Sequence, residues 1–568
     1  MSKNQKNFIK ILIVLIISGA MLFVPFESLG VPINSIQARV VSLFILAALM
    51  WILEPIPIWT TSVLVITLSL LCISNQSFSF LKPQRFDKAA VCALVDDALG
   101  QGVDAKVADT LKSDIIARLN KKPNLNSQEV LMTTSFQIMD ASQKAAKNGD
   151  AALAEQLRVA EDKLYTPDFE RRLKGLNFVN LMQQKSTMAT FADPIIILFL
   201  GGFFLAAAAT KYRLDKSLAK VLLKPFGTNP KFVMLGLMVV TALFSMFMSN
   251  TATAAMMLAI LTPVLSAFSP EDRGRAAFAL CIPVAANIGG IGTPIGTPPN
   301  AIALKAMQDM GLSISFGKWM MFGVPFVVVM LLVGWLVLVK MFPIKQKELK
   351  IEMEGKFLKT PKAIIVYITF AVTVALWVLS DMLKLGLDSN TIAIVPIAVF
   401  SVTQVITKED LKAMSWDVLW LVAGGFALGV ALQETGLAKD MINAIPFATW
   451  NATALMIGAG FICLFMATFM SHTATASLLM PILAGVAGAM VKAGSMDGPG
   501  AIGLLCAIAF ASSLGMALPI STPPNALAYA TGLVENKGMA ISGTILCLLG
   551  LALTFVMMYM LQGAGFFS

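Results

Sequence analysis

The 568 residues are 57% hydrophobic and only 13% charged, against about 25% charged residues in an ordinary soluble domain, which excludes a soluble globular protein. The formal charge of +10 belongs, in so apolar a chain, to cytoplasmic loops rather than to nucleic acid. Apolar runs of roughly 18 residues or more, long enough to span a bilayer as helices, recur throughout, whereas a transmembrane β-barrel would show short alternating segments.

Lys3, Lys6 and Lys10 precede the apolar run Ile11–Phe26, which reads as a retained first span because no small-residue cleavage site follows. Spans two (Ala38–Leu53) and three (Ile58–Ile73) flank the turn Glu54-Pro55-Ile56-Pro57 and complete a first unit, 1–75. Residues 76–190 carry 16 basic and 14 acidic residues, contain helical patches such as Ala151–Leu164, and hold no span. They read as a soluble, extracytoplasmic helical insertion. Residues 191–342 bring span four (Pro194–Thr210), the basic amphipathic segment Lys211–Lys224, an apolar hairpin over 232–268, a broken helix over 276–307 and span six (Trp319–Phe342). A basic cytoplasmic connector, 343–362, leads into 363–568. There the order returns: spans seven to nine (Ala363–Leu383, Thr391–Ile406, Val418–Leu432), a hairpin over 453–491, a broken helix over 502–529 and span eleven (Ile541–Leu561).

The repetition extends to motifs. Phe247-Met248-Ser249-Asn250-Thr251-Ala252-Thr253 returns as Phe469-Met470-Ser471-His472-Thr473-Ala474-Thr475, identical at six of seven positions. Thr297-Pro298-Pro299-Asn300 returns as Thr522-Pro523-Pro524-Asn525, and Gly201-Gly202-Phe203 as Gly424-Gly425-Phe426. An odd number of crossings per copy turns the second copy over, the inverted repeat of many secondary transporters. With the N-terminus inside, 21 basic residues fall in inner segments and six in outer ones, leaving aside the insertion. This bias favours a cytoplasmic N-terminus and an extracytoplasmic C-terminus in the inner or plasma membrane. The expected fold is therefore an all-α polytopic membrane protein of about 11 transmembrane helices plus two re-entrant hairpins in an inverted repeat, with the soluble insertion.

Hydroxyls, amides, glycines and prolines at membrane depth expose backbone groups that hydrocarbon cannot satisfy, so these motifs must be buried in protein or line a wet cavity. Broken helices offer free N–H groups, suited to an anion, and free carbonyls, suited to a small cation. No Arg or Lys sits at the centre of a span, so a bound carboxylate or sulfate implies a coupled cation. Mere close helix packing by small residues does not account for two matched pairs of motifs. His472, the single histidine, replaces the Asn250 of the first copy. An ionisable group at membrane depth is a functional candidate; protonated, it supplies the charge a cation would otherwise bring. Enzymatic readings fare poorly: Ser471 and His472 are adjacent and diverge by about 100° on a helix, no phosphate-binding Gly-x-x-x-x-Gly-Lys motif is present, and Gly290-Ile291-Gly292 is a weak dinucleotide match. Six scattered cysteines lack ligand spacing.

These motifs, together with Glu54-Pro55-Ile56-Pro57, resemble those of the divalent anion/sodium symporter family, the dicarboxylate, citrate and sulfate transporters, over all of the chain except the insertion. The resemblance implies a homodimer in the lipid bilayer, a scaffold formed by the early spans of each repeat, and a transport unit of hairpins and broken helices that moves as an elevator. It implies that Asn250, Thr251, Thr297, Pro298, His472, Thr473, Thr522 and Pro523 contact a small anionic substrate. Ser245, Ser249, Asn250 and Gly296 look like a first sodium site, and Ser471, His472 and Ser521 like a second. The second departs from the family pattern: His472 stands for asparagine, and Ala467 for the hydroxyl that the first repeat keeps at Ser245. Sodium-coupled symport with an altered second site, anion exchange with His472 in place of a cation, and a transporter-like receptor signalling through the insertion are the alternatives. Four- or five-carbon dicarboxylates, citrate and sulfate all fit these groups.

Overall fold

The computed structural model describes residues 2–26, 33–100, 103–122, 125–174, 176, 178–265, 268–269, 271–349, 356–438, 440 and 451–567. Residues 350–355 of the expected connector, and Lys439, lie outside them. The described membrane part is helical, as it must be where every backbone group has to find its partner within the segment. Among the described residues nine helices are long and apolar enough to cross a membrane, accompanied by shorter apolar ones.

The chain opens with α1 (Lys3–Ala20), α2 (Ser35–Leu53) and α3 (Ile58–Cys72). Glu54 closes α2 in the left-handed region (φ 44°) while its N–H caps Met50 O, and Pro55, which cannot extend a helix, turns the chain. The third and eighth expected spans are only 15 and 14 residues long, α3 and α18 (Ser389–Val402). At the far end of α3 the helix gives way at once to bridged segments: Ser74 pairs with Met182 and Phe86 with Phe178. Between these closures lie α4 (Lys88–Leu99), α5 (Ala105–Lys121), α6 (Ser127–Lys147), α7 (Ala151–Lys163) and α8 (Pro167–Lys174). They surround a core of their own that includes Val91, Ile115, Leu119, Ile138 and Leu157.

The insertion returns through α9 (Gln184–Ala189) and is clipped to the membrane part. Leu181 and Met182 join the cluster of Ile36, Val40 and Leu437. Glu434 accepts from the Gln183 N–H and the Ser186 hydroxyl, each at 2.6 Å.

After α10 (Pro194–Lys211) and α11 (Leu214–Leu223) come α12 (Pro230–Ser245), α13 (Asn250–Leu265), α14 (Gly274–Gly290), α15 (Pro298–Asp309) and α16 (Phe316–Met341). The second half holds α17 (Pro361–Leu379), α18, α19 (Lys408–Lys412) and α20 (Trp416–Glu434), then α21 (Ala452–Phe469), α22 (His472–Lys492), α23 (Gly498–Ser513), α24 (Pro523–Ala530) and α25 (Asn536–Gly563). The two halves pack alike: α14 touches α12, α13 and α16, as α23 touches α21, α22 and α25. They also exchange partners, since α15 lies on α22 and α23 while α24 lies on α13 and α14. Likewise α20 packs on α3, and α10 on α18. The arms of the first hairpin are 16 residues each, but α21 and α22 have 18 and 21. Length alone therefore does not make the second pair re-entrant; His472 at its junction is buried and Ser471 half-buried, both lining a cavity with the start of α24.

Candidate functional site

Four helices begin at one cavity of about 540 Å³, a size suited to a small ligand. Its wall holds Ser249, Asn250 and Thr251 at the start of α13, Thr297 and Pro298 at α15, Ser471, His472 and Thr473 at α22, and Ser521, Thr522 and Pro523 at α24. Polar residues from both halves, more than 170 positions apart in sequence, are thus brought together. Each beginning follows from a local signal. Ser249 and Ser471 are N-caps: their hydroxyls accept from the N–H groups of Ala252 (3.2 Å) and Ala474 (3.1 Å). Pro298 and Pro523 occupy first-turn positions where a missing N–H costs nothing. The first-turn N–H groups of α13 and α22 and the positive ends of all four helices are suited to anionic oxygens; α15 and α24 open on paired prolines, which have no N–H, and the N–H groups of Asn300 and Asn525 are held by Thr297 O and Thr522 Oγ1. No Lys or Arg is among the described lining residues; the single carboxylate, Asp417, stands at the rim with Pro57, Trp59 and Ser415.

The asparagine of each Thr-Pro-Pro-Asn motif is a brace. Asn300 Nδ2 donates to the carbonyls of Gly290 (3.1 Å) and Thr293 (2.8 Å), and Asn525 Nδ2 to those of Met516 (2.8 Å) and Leu518 (3.0 Å). Both therefore satisfy the unwound carbonyls that a helix break leaves behind. Hydroxyls tie each break to its hairpin, Thr293 to the Met246 carbonyl and Ser521 to that of Thr468. Asn287, which nothing in its apolar surroundings singled out, links the halves: its Nδ2 lies 3.2 Å from both Thr522 Oγ1 and Asn525 Oδ1.

Beside the cavity, Ser245 Oγ, the Ala286 carbonyl and the Gly296 carbonyl converge on the Asn250 amide. Ser245 has one hydroxyl hydrogen and gives it to Ala286 O at 2.7 Å, so it must accept from Asn250. With Nδ2 turned inward, the amide donates to Ser245 Oγ (2.6 Å) and to Gly296 O and Ala286 O (3.2 Å each). With Oδ1 turned inward, it becomes a fourth oxygen of one cluster. Glycine is required here, because a Cβ on Gly290 would stand 2.7 Å from Asn250 Oδ1 and 3.0 Å from Gly296 O. An all-oxygen set of hydroxyl, amide and two backbone carbonyls, that of Ala286 near the end of α14 and that of Gly296 in the break after it, suits a small hard cation. Ser245 and Gly296 are thus brought to Asn250, while Ser249 serves the helix cap; the carbonyl of Ala286 could not be read from its side chain.

The second copy is built differently. His472 is buried, and its Nε2 lies 2.7 Å from the Gly515 carbonyl. A carbonyl only accepts, so Nε2 carries a hydrogen. Ala467 presents a methyl where the first copy has the Ser245 hydroxyl, and the Ser521 hydroxyl is already held by Thr468 O at 2.6 Å. The imidazole thus occupies the place in this copy that the Asn250 amide has in the first.

A second cavity of about 510 Å³, lined among others by Leu304, Gln308, Asp388 and Asn390, reaches Pro294, whose neighbour Ile295 lines the first. Near it Phe316 of α16 stacks on Trp377 of α17, with centroids 4.8 Å apart.

The sequence profile of the citrate transporter family matches residues 173–497. The chain belongs to that family. It is a membrane transport protein, not an enzyme, and the resemblance to dicarboxylate and citrate transporters read from its motifs is borne out. Relatives include an uncharacterized transporter of Haemophilus influenzae, 33% identical over 67% of this chain and 84% of that protein. A sodium-dependent high-affinity dicarboxylate transporter of Caenorhabditis elegans is 29% identical over 67% and 76%. The sodium-dependent dicarboxylate transporter SdcS of Staphylococcus saprophyticus is 31% identical over 67% and 79%. Among solved structures, the YdaH transporter of Alcanivorax borkumensis is similar over 71% of this chain and 90% of that one, at 14% identity and a TM-score of 0.48.

Proposed function

We propose that this family member is a secondary active transporter of divalent organic anions, four- or five-carbon dicarboxylates or citrate, coupled to sodium through the Ser245–Asn250–Gly296 cluster. The observation that carries the reading is the meeting of four helix N-termini at one cavity whose described lining has no fixed basic residue. Asn250, Thr251, Thr297, Pro298, His472, Thr473, Thr522 and Pro523 face the anion there. Such a site balances a dianion only weakly by itself, so a cation held a few ångströms away raises anion affinity, and the anion raises cation affinity equally. That reciprocity is the coupling. The names of the relatives from Caenorhabditis elegans and Staphylococcus saprophyticus, both sodium-dependent dicarboxylate transporters, support it.

The matched packing of the halves supports an inverted repeat. In it, the hairpins and broken helices form a transport unit moving as an elevator within a homodimeric scaffold. On the charge bias, the rim residues Pro57, Trp59, Ser415 and Asp417 are cytoplasmic, so the cavity of this conformation faces inward; the second cavity and the insertion then lie outside. Cysteine labelling in intact cells tests this: an insertion reached only from the cytoplasm would reverse the topology.

A second reading, anion exchange, is favoured by one contact, His472 Nε2 on Gly515 O. A tethered imidazole there, once protonated on both ring nitrogens, would replace a diffusible cation, so the unloaded carrier would return less readily. Uptake into proteoliposomes separates the two. Accumulation driven by a sodium gradient alone supports symport; a strict need for internal counter-anion, with no response to sodium, supports exchange.

A further inference from the structure

Helix α11 leads from α10 to α12 and carries charge in an ordered way. Leu214, Asp215, Ser217 and Ala219 are buried, while Lys216 and Lys220 are exposed, followed by exposed Lys224 in the next turn. Their i, i+4, i+8 spacing keeps them on one face. The helix is seated, not loose. Gly236 of α12 makes room for it, since a Cβ there would come within 2.7 Å of the Phe226 ring and 3.1 Å of Leu223 Cδ2. The single acid of the segment 211–231, Asp215, is 1% exposed, accepts from the Lys216 N–H at 2.7 Å and feels the charge of Lys216, while Lys216, Lys220 and Lys224 stay exposed. At the start of α12, which follows α11 in the chain, Trp335 of α16 donates its indole N–H to the Lys231 carbonyl (2.8 Å) and stacks on half-exposed Phe232 with centroids 6.1 Å apart.

We propose that this face, Lys216, Lys220, Lys224 and Lys231 with Phe232 and Trp335, binds the headgroups of anionic phospholipids in the cytoplasmic leaflet. Aromatic rings with one polar edge settle at the membrane boundary, and basic clusters beside them attract acidic headgroups. A role limited to setting topology requires only the number of charges, not a stripe fixed on a docked helix with an aromatic pair next to it. Because α11 joins α10 to the hairpin that contributes Asn250, lipid held there steadies the segment across which the transport unit moves. The proposal rests on the cytoplasmic assignment of this face and, for its effect on uptake, on the transport reading above.

The test uses purified full-length protein. Two quantities are measured: the shift of its unfolding temperature in detergent on adding phosphatidylglycerol rather than phosphatidylcholine, and initial dicarboxylate uptake in vesicles of either composition. We expect phosphatidylglycerol to raise the unfolding temperature and to raise uptake at least about threefold. Both responses should vanish in K216Q/K220Q/K224Q and persist in K106Q/K121Q/K147Q, which removes equal charge from the insertion. An equal lipid response in the α11 variant, or none in the parent, would overturn the proposal. So would an equal shift with free glycerol phosphate, which would mark a soluble-anion site. A lipid shift lost only in the α11 variant, in a protein that moves no dicarboxylate, upholds the lipid surface and removes the transport reading alone. Vesicles with the same lipid in both leaflets present it to the α11 face in either orientation, and the detergent measurement has no orientation.

Discussion

Replacing Ser245 with alanine takes one oxygen from the proposed sodium cluster and leaves the Ala286 carbonyl, which now accepts its hydroxyl hydrogen at 2.7 Å, without that donor. The helix itself should survive, because Ser245 is the last residue of α12 and alanine is a good helix former. Leaving a buried partner unsatisfied costs about 1–3 kcal/mol. If the same order is lost from cation binding, sodium affinity falls about 5- to 150-fold, at about 1.4 kcal/mol per tenfold. Initial uptake at saturating substrate, measured against sodium concentration, should show the half-saturating sodium rising within that range while the maximal rate changes less. The sodium-dependent rise in unfolding temperature, which reports binding to the folded state, should shift in parallel. A folded Ser245→Ala protein whose half-saturating sodium is unchanged would remove this cluster from the account.

Other outcomes follow from the same geometry. The pair His472→Asn and Ala467→Ser rebuilds in the second copy the amide and hydroxyl of the first, and should steepen the sodium dependence of uptake toward one more ion; an unchanged Hill slope would deny the imidazole its role as a substitute cation. Asn287→Ala should lower the unfolding temperature by the equivalent of about 1–3 kcal/mol, since Asn525 Oδ1 loses a buried donor, and should weaken substrate binding because Thr522 loses its brace. Wild-type values for both would show the bridge to be incidental. At α19, burial works against the Asp410 carboxylate, but Lys211 and the Thr407 N–H and hydroxyl outweigh it and hold its pKa below the ordinary value. A depressed pKa stabilises above the unfolded value of about 3.9 and the contribution fades as pH falls through the folded one. The stability gap between the parent and Asp410→Asn should therefore be present near neutrality and close below about pH 4; a gap constant with pH would contradict the pairing.

Much of this site was legible because membrane depth makes polarity conspicuous. Ser-Asn-Thr and Thr-Pro-Pro-Asn stand out against apolar flanks, and each was written twice, so their meeting could be anticipated without coordinates. Within the motifs, residue types did not separate braces from wall: Asn300 and Asn525 serve unwound carbonyls, and the Ser249 and Ser471 hydroxyls serve helix caps. The carbonyl of Ala286 leaves no trace in a side-chain sequence, and Asn287 is an isolated polar residue in an otherwise apolar stretch of α14. The expected span bounds were a fair guide at α3, α10 and α16, within three residues at each end, and less so at α18, which ends at Val402, four residues before the expected Ile406. The attachment of the insertion through Glu434 was hidden for another reason, since its partners lie some 250 positions away.

The central claim is that a sodium gradient and a divalent anion meet at the cavity between the two halves. Its most direct measurement is accumulation of labelled succinate, malate or citrate in proteoliposomes containing only this protein, with sodium outside, none inside, and no internal counter-anion. The account predicts concentrative uptake of at least one of these anions that collapses when the gradient is dissipated and is strongly impaired by Ser245→Ala. Uptake that ignores the gradient and proceeds only against an internal anion would contradict sodium coupling, and no movement of any of the three would contradict the substrate class itself.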